Sequence, residues 1–171
     1  MAKDKFHGTT QFAALPWRIS EGGTRQVMLL TSRETRRWVI PKGWPMKKRK
    51  PAEVASQEAY EEAGLIGQIV GKRPFGRFHY GKLVGDETVL CEVQVFLLRV
   101  ERQLDDWPEK RERETKWFEA KEAASLVDEG GLAEIIGRFS EPYIRFAALR
   151  GSQRHRPFLS IRHGGRSPSG D

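Results

Sequence analysis

The stretch Gly43–Leu65, GWPMKKRKPAEVASQEAYEEAGL, restricts the possible folds of this chain more than any other. Pro51 suits a first helical position, with φ preset and no donor to lose, and Gly64 supplies a left-handed stop, so the spacing predicts a helix between them. On that helix Glu58, Glu61 and Glu62 stand at i, i+3 and i+4 and share one face. Like charges so placed weaken a plain helix by about 0.2–0.5 kcal/mol per pair. Lys47, Lys48, Arg49 and Lys50 crowd the positive N-terminal end while Glu61 and Glu62 sit at the negative C-terminal end, each disfavoured by roughly 0.3–1 kcal/mol. A helix charged against its own dipole needs a partner outside itself. A hard divalent cation is one, because Mg2+ takes carboxylate oxygens and completes its shell with water and substrate phosphates. The other reading is a solvated acidic face on a surface helix, since Glu is a good helix former.

The whole pattern favours the first. The segment resembles the Nudix box, in which a glycine, a short loop and a helix carry acidic residues ending in Glu-Glu-any-Gly-aliphatic. Gly43, Glu58, Ala59, Glu61, Glu62, Gly64 and Leu65 match that pattern without a gap. Two positions depart: Arg49 stands where the family has a loop glutamate, and Gln57 where an arginine precedes the first helical glutamate. The resemblance implies an α+β Nudix fold, a mixed β-sheet sandwiched between α-helices, and a hydrolase acting on phosphoanhydride bonds. It implies that Glu58, Glu62 and the Gly43 carbonyl bind Mg2+ (or Mn2+), and that Glu61 is the general base.

Within that family the runs LLTSRETRRWVIPKGW and RETKWFEAKEA look most like the diphosphoinositol polyphosphate phosphohydrolases, which also cleave diadenosine polyphosphates. The similarity runs from Phe12 to Phe139. On that comparison Thr31, Ser32 and Arg33 match a loop that holds substrate phosphates, and Arg113 matches another phosphate-binding arginine. Where that branch has three glycines this chain has Lys42, Gly43 and Trp44, and its segment between Phe78 and Cys91 is longer. Lys42 is expected to add a phosphate contact and Trp44 to shape or stack on a base. The residues alone point the same way: Arg33, Arg36, Arg37 and Lys42 lie in one short span before the helix, and arginine forks bind phosphate oxygens bidentately. Singly, each could instead solubilise the loop or pair with Glu34 and nearby acids.

The net charge of +7 and pI near 9.8 draw polyanions toward the chain. Nucleic acid is one class, but no zinc-finger spacing, RNP aromatic motif or basic heptad helix is present. A small polyphosphorylated substrate satisfies the same field. The competing functional class is a non-catalytic Nudix-fold module that binds RNA or a nucleotide as a regulator, a reading favoured by Arg49, Gln57 and the basic C-terminal end. No run is long and apolar enough to span a membrane, and MAKDKFHGTT has no apolar core of a secretory signal. The lone Cys91 reads as a small buried hydrophobe, and the cytoplasm is the expected compartment. Monomer and homodimer are both compatible with these features.

At 171 residues the chain has room for one core with tails. The expected division is a flexible arm over 1–9, one hydrolase domain over 10–150 ending near Ala147–Leu149, and a basic disordered tail over 151–171. Strands are expected at Thr10–Ser20, with Pro16 marking an edge or bulge, at Gln26–Leu30 and at Trp38–Ile40. Ile66–Phe78 reads as a strand interrupted by Gly67, Gly71 and Gly76, FHYGKLVGDET as a hairpin tip, and Thr88–Val100 as the clearest strand by its alternation. Gln103–Lys116 reads as polar connection, Trp117–Phe118 as a short buried element, and Lys121–Asp128 and Leu132–Phe139 as helices. His7, His155 and His163 fall in the terminal segments, and His79 reads as a polar rim residue without the paired spacing of a zinc site.

Overall fold

A computed structural model describes residues 9–142. The arm over 1–8, the expected domain end near Ala147–Leu149, the tail over 151–171 and His7, His155 and His163 lie outside the described residues. Among the described residues, eight strands and three helices follow in the order β1 (Thr10–Ile19), β2 (Arg25–Thr31), β3 (Trp38–Val39), β4 (Lys42–Gly43), α1 (Pro51–Ala63), β5 (Leu65–Val70), β6 (Gly76–Val84), β7 (Glu87–Gln103), β8 (Thr115–Glu119), α2 (Ala120–Leu126) and α3 (Gly130–Ser140). They form one mixed sheet whose spine runs β3-β2-β1-β7-β5. β1 and β7 pair in parallel from Thr10↔Glu92 to Trp17↔Arg99, and the other pairs are antiparallel. The far edge of β7 is shared end to end, β6 taking Glu87–Val95 and β5 taking Leu97–Gln103.

Alternation along the central strands divides the core in two. Ala13, Leu15 and Trp17 of β1, Val27 and Leu29 of β2 and Val93, Val95 and Leu97 of β7 face one side, where Leu132, Ile135, Ile136 and Phe139 of α3 cover them. Phe12, Ala14, Met28, Leu30, Phe96 and Leu98 face the other, against Val54, Ala55, Ala59 and Ala63 of α1. The small residues on α1 let it lie close on the sheet. The observed architecture is thus the expected mixed sheet between helices, with α1 the one helix on its face among the described residues.

Pro16 departs from expectation. It lies in β1, a central strand, and is buried. The Ala14 N–H donates to the Pro41 carbonyl on one flank of β1, and two residues on, the Pro16 nitrogen faces that same flank. There β1 changes partner: Phe12 and Ala13 pair with β4, whereas pairing with β2 begins at Trp17. The missing donor therefore falls at a split in the sheet, where no ladder bond is lost. Into that split runs Trp38–Gly43, pairing with β2 at its start and with β1 at its end.

The glycine-rich stretch after α1 resolves into two strands. Gly67 sits at a register shift opposite Arg99 and Val100, so close that a Cβ would fall on the Arg99 carbonyl oxygen. Gly71, at φ +87°, turns the chain toward β6. β6 and β7 form a long hairpin turned at Gly85 (φ +61°) and Asp86, so the expected hairpin tip is mostly strand.

Candidate active site

α1 is built as its sequence requires. Pro51 opens it, the Glu53 carboxylate accepts the Lys50 N–H at 2.8 Å, and Gly64 closes it at φ 66°, ψ 26°. The segment threaded through the sheet split delivers Gly43 against the middle of this helix. A Cβ on Gly43 would coincide with the Glu58 carboxyl group. Only glycine allows that contact.

Glu58, Glu61 and Glu62 differ in their surroundings. Glu62 is 7% exposed, on the side of α1 toward the sheet. Burial pushes its pKa up to about 7, against the opposing pull of Arg113 and Lys42. Burial also raises the Glu58 pKa, with Glu61 and then Glu109 adding repulsion. Glu61 accepts a hydrogen bond from the Gln57 Nε2 at 2.6 Å, one turn back on the helix. Gln57, a departure from the family pattern, thus orients one oxygen of the residue expected to act as base.

The connection from β7 to β8 reads in sequence as a polar linker, but it is fastened to the C-terminal end of α1. Trp107 packs on Gly64 so closely that a Cβ there would strike the indole, Leu104 N–H donates to the Gly64 carbonyl at 2.8 Å, and Glu109 N–H donates to the Glu61 carbonyl at 3.0 Å. This fastening brings Glu109 and Arg113 to the glutamates. The Arg113 fork spans Glu62 Oε1 at 2.9 Å, Glu109 Oε2 at 2.6 Å and the Thr31 carbonyl at 3.1 Å. Arg33 approaches the other Glu109 oxygen at 4.0 Å and Glu112 at 3.2 Å, with its side chain exposed. Glu109, which sequence reasoning passed over, is the carboxylate shared by both expected phosphate-binding arginines. Its i, i+4 spacing to Arg113 was the only hint.

The remaining candidates take varied positions. Thr31 is buried, and its hydroxyl accepts the Glu114 N–H at 3.0 Å, tying β2 to the chain before β8. The Ser32 hydroxyl shapes its own loop, bonding Thr35 at 2.7 Å and accepting the Arg37 N–H at 3.1 Å. Arg36 and Arg37 are tied to Glu112, Asp128 and Glu129, whereas Lys47–Lys50 are exposed. Lys42, in β4, is half-buried, its ammonium 5.5 Å from the Tyr80 ring centroid, and burial lowers its pKa against the raising effects of Glu62 and Glu129. Trp44 is half exposed, with the Lys82 ammonium 4.7 Å over its ring. Cys91 is buried, and His79 lies exposed beside Glu92 at 3.7 Å.

Among the described residues no three acidic, imidazole or thiol side chains converge as a ready cage for a metal ion. The donor chemistry nevertheless fits a hard divalent cation. Glu58 and Glu62, one turn apart and both with raised proton affinity, repel one another, with Glu58 seated on Gly43, and Mg2+ is ordinarily held by one or two carboxylates with water and phosphate completing the shell. In the free protein the Arg113 guanidinium is the cation against Glu62. Among the described residues no helix is long and apolar enough to cross a membrane.

No family model matches the chain. It is 36% identical over 105 residues to Nudix hydrolase 12, mitochondrial, of Arabidopsis thaliana, covering 59% of this chain and 51% of the relative. It is 30% identical over 128 residues to Nudix hydrolase 18, mitochondrial, of the same plant, covering 71% and 70%. Diphosphoinositol polyphosphate phosphohydrolase 3-alpha of Homo sapiens is 26% identical over 114 residues, covering 63% of each. The chain therefore spans between about half and two thirds of the length of several curated relatives it matches. Among solved structures, a C. elegans Ap4A hydrolase binary complex superposes with a TM-score of 0.58 at 17% identity, covering 77% of this chain and 95% of that one, which is agreement of fold. With Glu58 seated against Gly43 and 30% identity to a relative of which the chain covers 70%, the chain belongs to the Nudix hydrolase family.

Proposed function

We propose that this protein is a divalent-metal-dependent hydrolase that cleaves a phosphoanhydride linkage in a small polyphosphorylated molecule, of the diphosphoinositol polyphosphate or diadenosine polyphosphate kind. The observation that carries this reading is the Glu58 carboxyl group seated on Gly43, one turn from a buried Glu62 and opposite the arginine-bearing connection. Glu58 and Glu62 would hold Mg2+ or Mn2+, with the Gly43 carbonyl as a further ligand. When bound, the ion supplies Lewis-acid polarisation of phosphate oxygens and a template for the substrate.

The chain's own residues do the rest. Glu61 takes the proton from the attacking water, its carboxylate oriented by Gln57. Arg33 is exposed and meets distal phosphates, and Arg113 turns its fork from Glu62 toward them, stabilising charge that develops in the transition state. Lys42 adds a cation at the near wall. Thr31 and Ser32 act through the shape of the loop that carries Arg33. A reducing compartment such as the cytoplasm suits the buried, unpaired Cys91.

The test is phosphate release from diadenosine polyphosphates, inositol pyrophosphates and nucleoside triphosphates, with Mg2+ and with EDTA. Release that requires Mg2+ and falls by about 10²–10⁴-fold in Glu61→Gln, at unchanged melting temperature, is the expected result. Normal turnover in that variant would remove Glu61 from its role. No release from any of the three would leave a polyanion-binding module in place of an enzyme.

A further inference from the structure

The Arg113 side chain is 9% exposed, and its main chain is fixed on both sides. Ahead of it the Glu109 N–H donates to the Glu61 carbonyl at 3.0 Å. Just after it, Thr31 N–H donates to the Glu114 carbonyl at 2.9 Å and Glu114 N–H to the Thr31 hydroxyl at 3.0 Å. What can move at this point is the guanidinium, and its three contacts are not equivalent. Glu109 holds the root of the fork, at Nε, whereas Glu62 and the Thr31 carbonyl take the terminal nitrogens Nη2 and Nη1. A guanidinium has five N–H donors, of which Nε carries one, so a bond at the root leaves the terminal donors free to change partner while the group stays in place. Glu109 needs such a task to account for its position, because its charge adds to the repulsion on both Glu58 and Glu62. Its Oε2 lies 2.6 Å from Arg113, while Oε1 is 4.0 Å from Arg33, whose nearer partner is Glu112 at 3.2 Å. Glu109 therefore serves Arg113 first.

We propose that Glu109 is the positioning residue of Arg113, a pivot that keeps the guanidinium in the site when a divalent cation takes Glu62 from it. A guanidinium buried this deeply and left with only the Thr31 carbonyl would be a charge without a counter-charge, and such a group is driven out to solvent. With Nε still on the Glu109 carboxylate the charge remains paired. The freed Nη2 donors then stay beside α1, where an oxygen of a phosphate that shares the cation can accept them. The inference rests on the hydrolase reading above only in naming that anion a phosphate.

The test is calorimetric titration of the full chain, first with Mg2+ alone and then, at saturating Mg2+, with methylenediphosphonate, a diphosphate analogue that cannot be hydrolysed. Glu109→Ala should change Mg2+ affinity by no more than about 5-fold, the share of a partly exposed neighbouring charge, and should weaken the analogue by about 10–100-fold. Glu109→Gln, whose amide oxygen still accepts from Nε, should recover most of that loss. In the Arg113→Ala background, Glu109→Ala should weaken the analogue no further, because the group it positions is gone. Melting curves establish that each variant is folded. Glu109→Asp, which keeps the charge but draws it back by one methylene, carries the same expectation for the analogue if the alanine variant does not fold. A Mg2+ affinity that falls as far as analogue binding does, in Glu109→Ala and Glu109→Gln alike, would make Glu109 a metal ligand and overturn the proposal. So would unchanged analogue binding in folded Glu109→Ala, or an equal loss with and without Arg113. These binding results without Mg2+-dependent turnover of any substrate uphold this inference and remove the hydrolase reading. Turnover with analogue binding indifferent to Glu109 does the reverse.

Discussion

Gly43 has no side chain because the Glu58 carboxyl group occupies the space one would need. Gly43→Ala must displace either the loop or that carboxylate, and a shift of about 1 Å in a reacting constellation can cost about 10²-fold in rate. We expect kcat to fall by about that much with a nearly normal circular dichroism spectrum, checked by steady-state kinetics beside a melting curve. Glu62 gives a second residue-level prediction. Burial raises its pKa from 4.5 to about 7, so the folded state binds the proton more tightly than the unfolded state does. Stability from this group is complete below pH 4.5 and is lost as pH rises through 7. Metal-free protein should therefore melt lower at pH 8 than at pH 5.5, and Glu62→Gln should flatten that slope. A slope unchanged in Glu62→Gln would assign it to other groups.

At the scale of elements, the connection between β7 and β8 is part of the site because it is clamped to the end of α1. Gly64 serves two purposes there: it adopts φ 66° and it leaves room for the Trp107 indole. Gly23 and Gly85 also have positive φ, but open space surrounds the position of a Cβ. Substituting alanine at those two sites should cost only the backbone term, about 1–2 kcal/mol. Gly64→Ala should cost measurably more in urea unfolding, and should speed amide exchange across 104–114, where Gly23→Ala and Gly85→Ala should not. Equal costs at all three would mean that Trp107 contributes nothing to the clamp. Neither Trp107 nor Glu109 stood out in sequence, because the segment has no periodicity and its partners lie on other elements. α1 itself was legible residue for residue, since a proline start, a glycine stop and helical spacing are local signals.

For the whole molecule, the excess of positive charge sets up a field that concentrates anions. With a Debye length of about 10 Å at 0.1 M salt, that attraction fades as ionic strength rises. We expect kcat/KM for a polyphosphate substrate to drop several-fold between low and high salt while kcat changes little, which kinetics at fixed Mg2+ activity would show. A kcat that falls in parallel would locate the salt effect in the chemical step. The two-sided core belongs to this scale as well. Strict alternation in β1, β2 and β7 sends one set of side chains to α1 and the other to α2 and α3, so the sheet is buried on both faces and the site sits at its split.

The sequence by itself determined the acidic helix, the glycine before it, the family and the layered fold, because these are written in short-range spacing and alternation. Tertiary structure alone decided that Pro16 lies inside the sheet, that Thr31 and Ser32 shape a loop by their own hydroxyls, that Arg113 closes on Glu62 and Glu109, and that Trp107 packs on Gly64. Each of these depends on residues far apart in the chain meeting in space, and their charges and hydrogen bonds acquire partners only once the sheet has split to admit Trp38–Gly43.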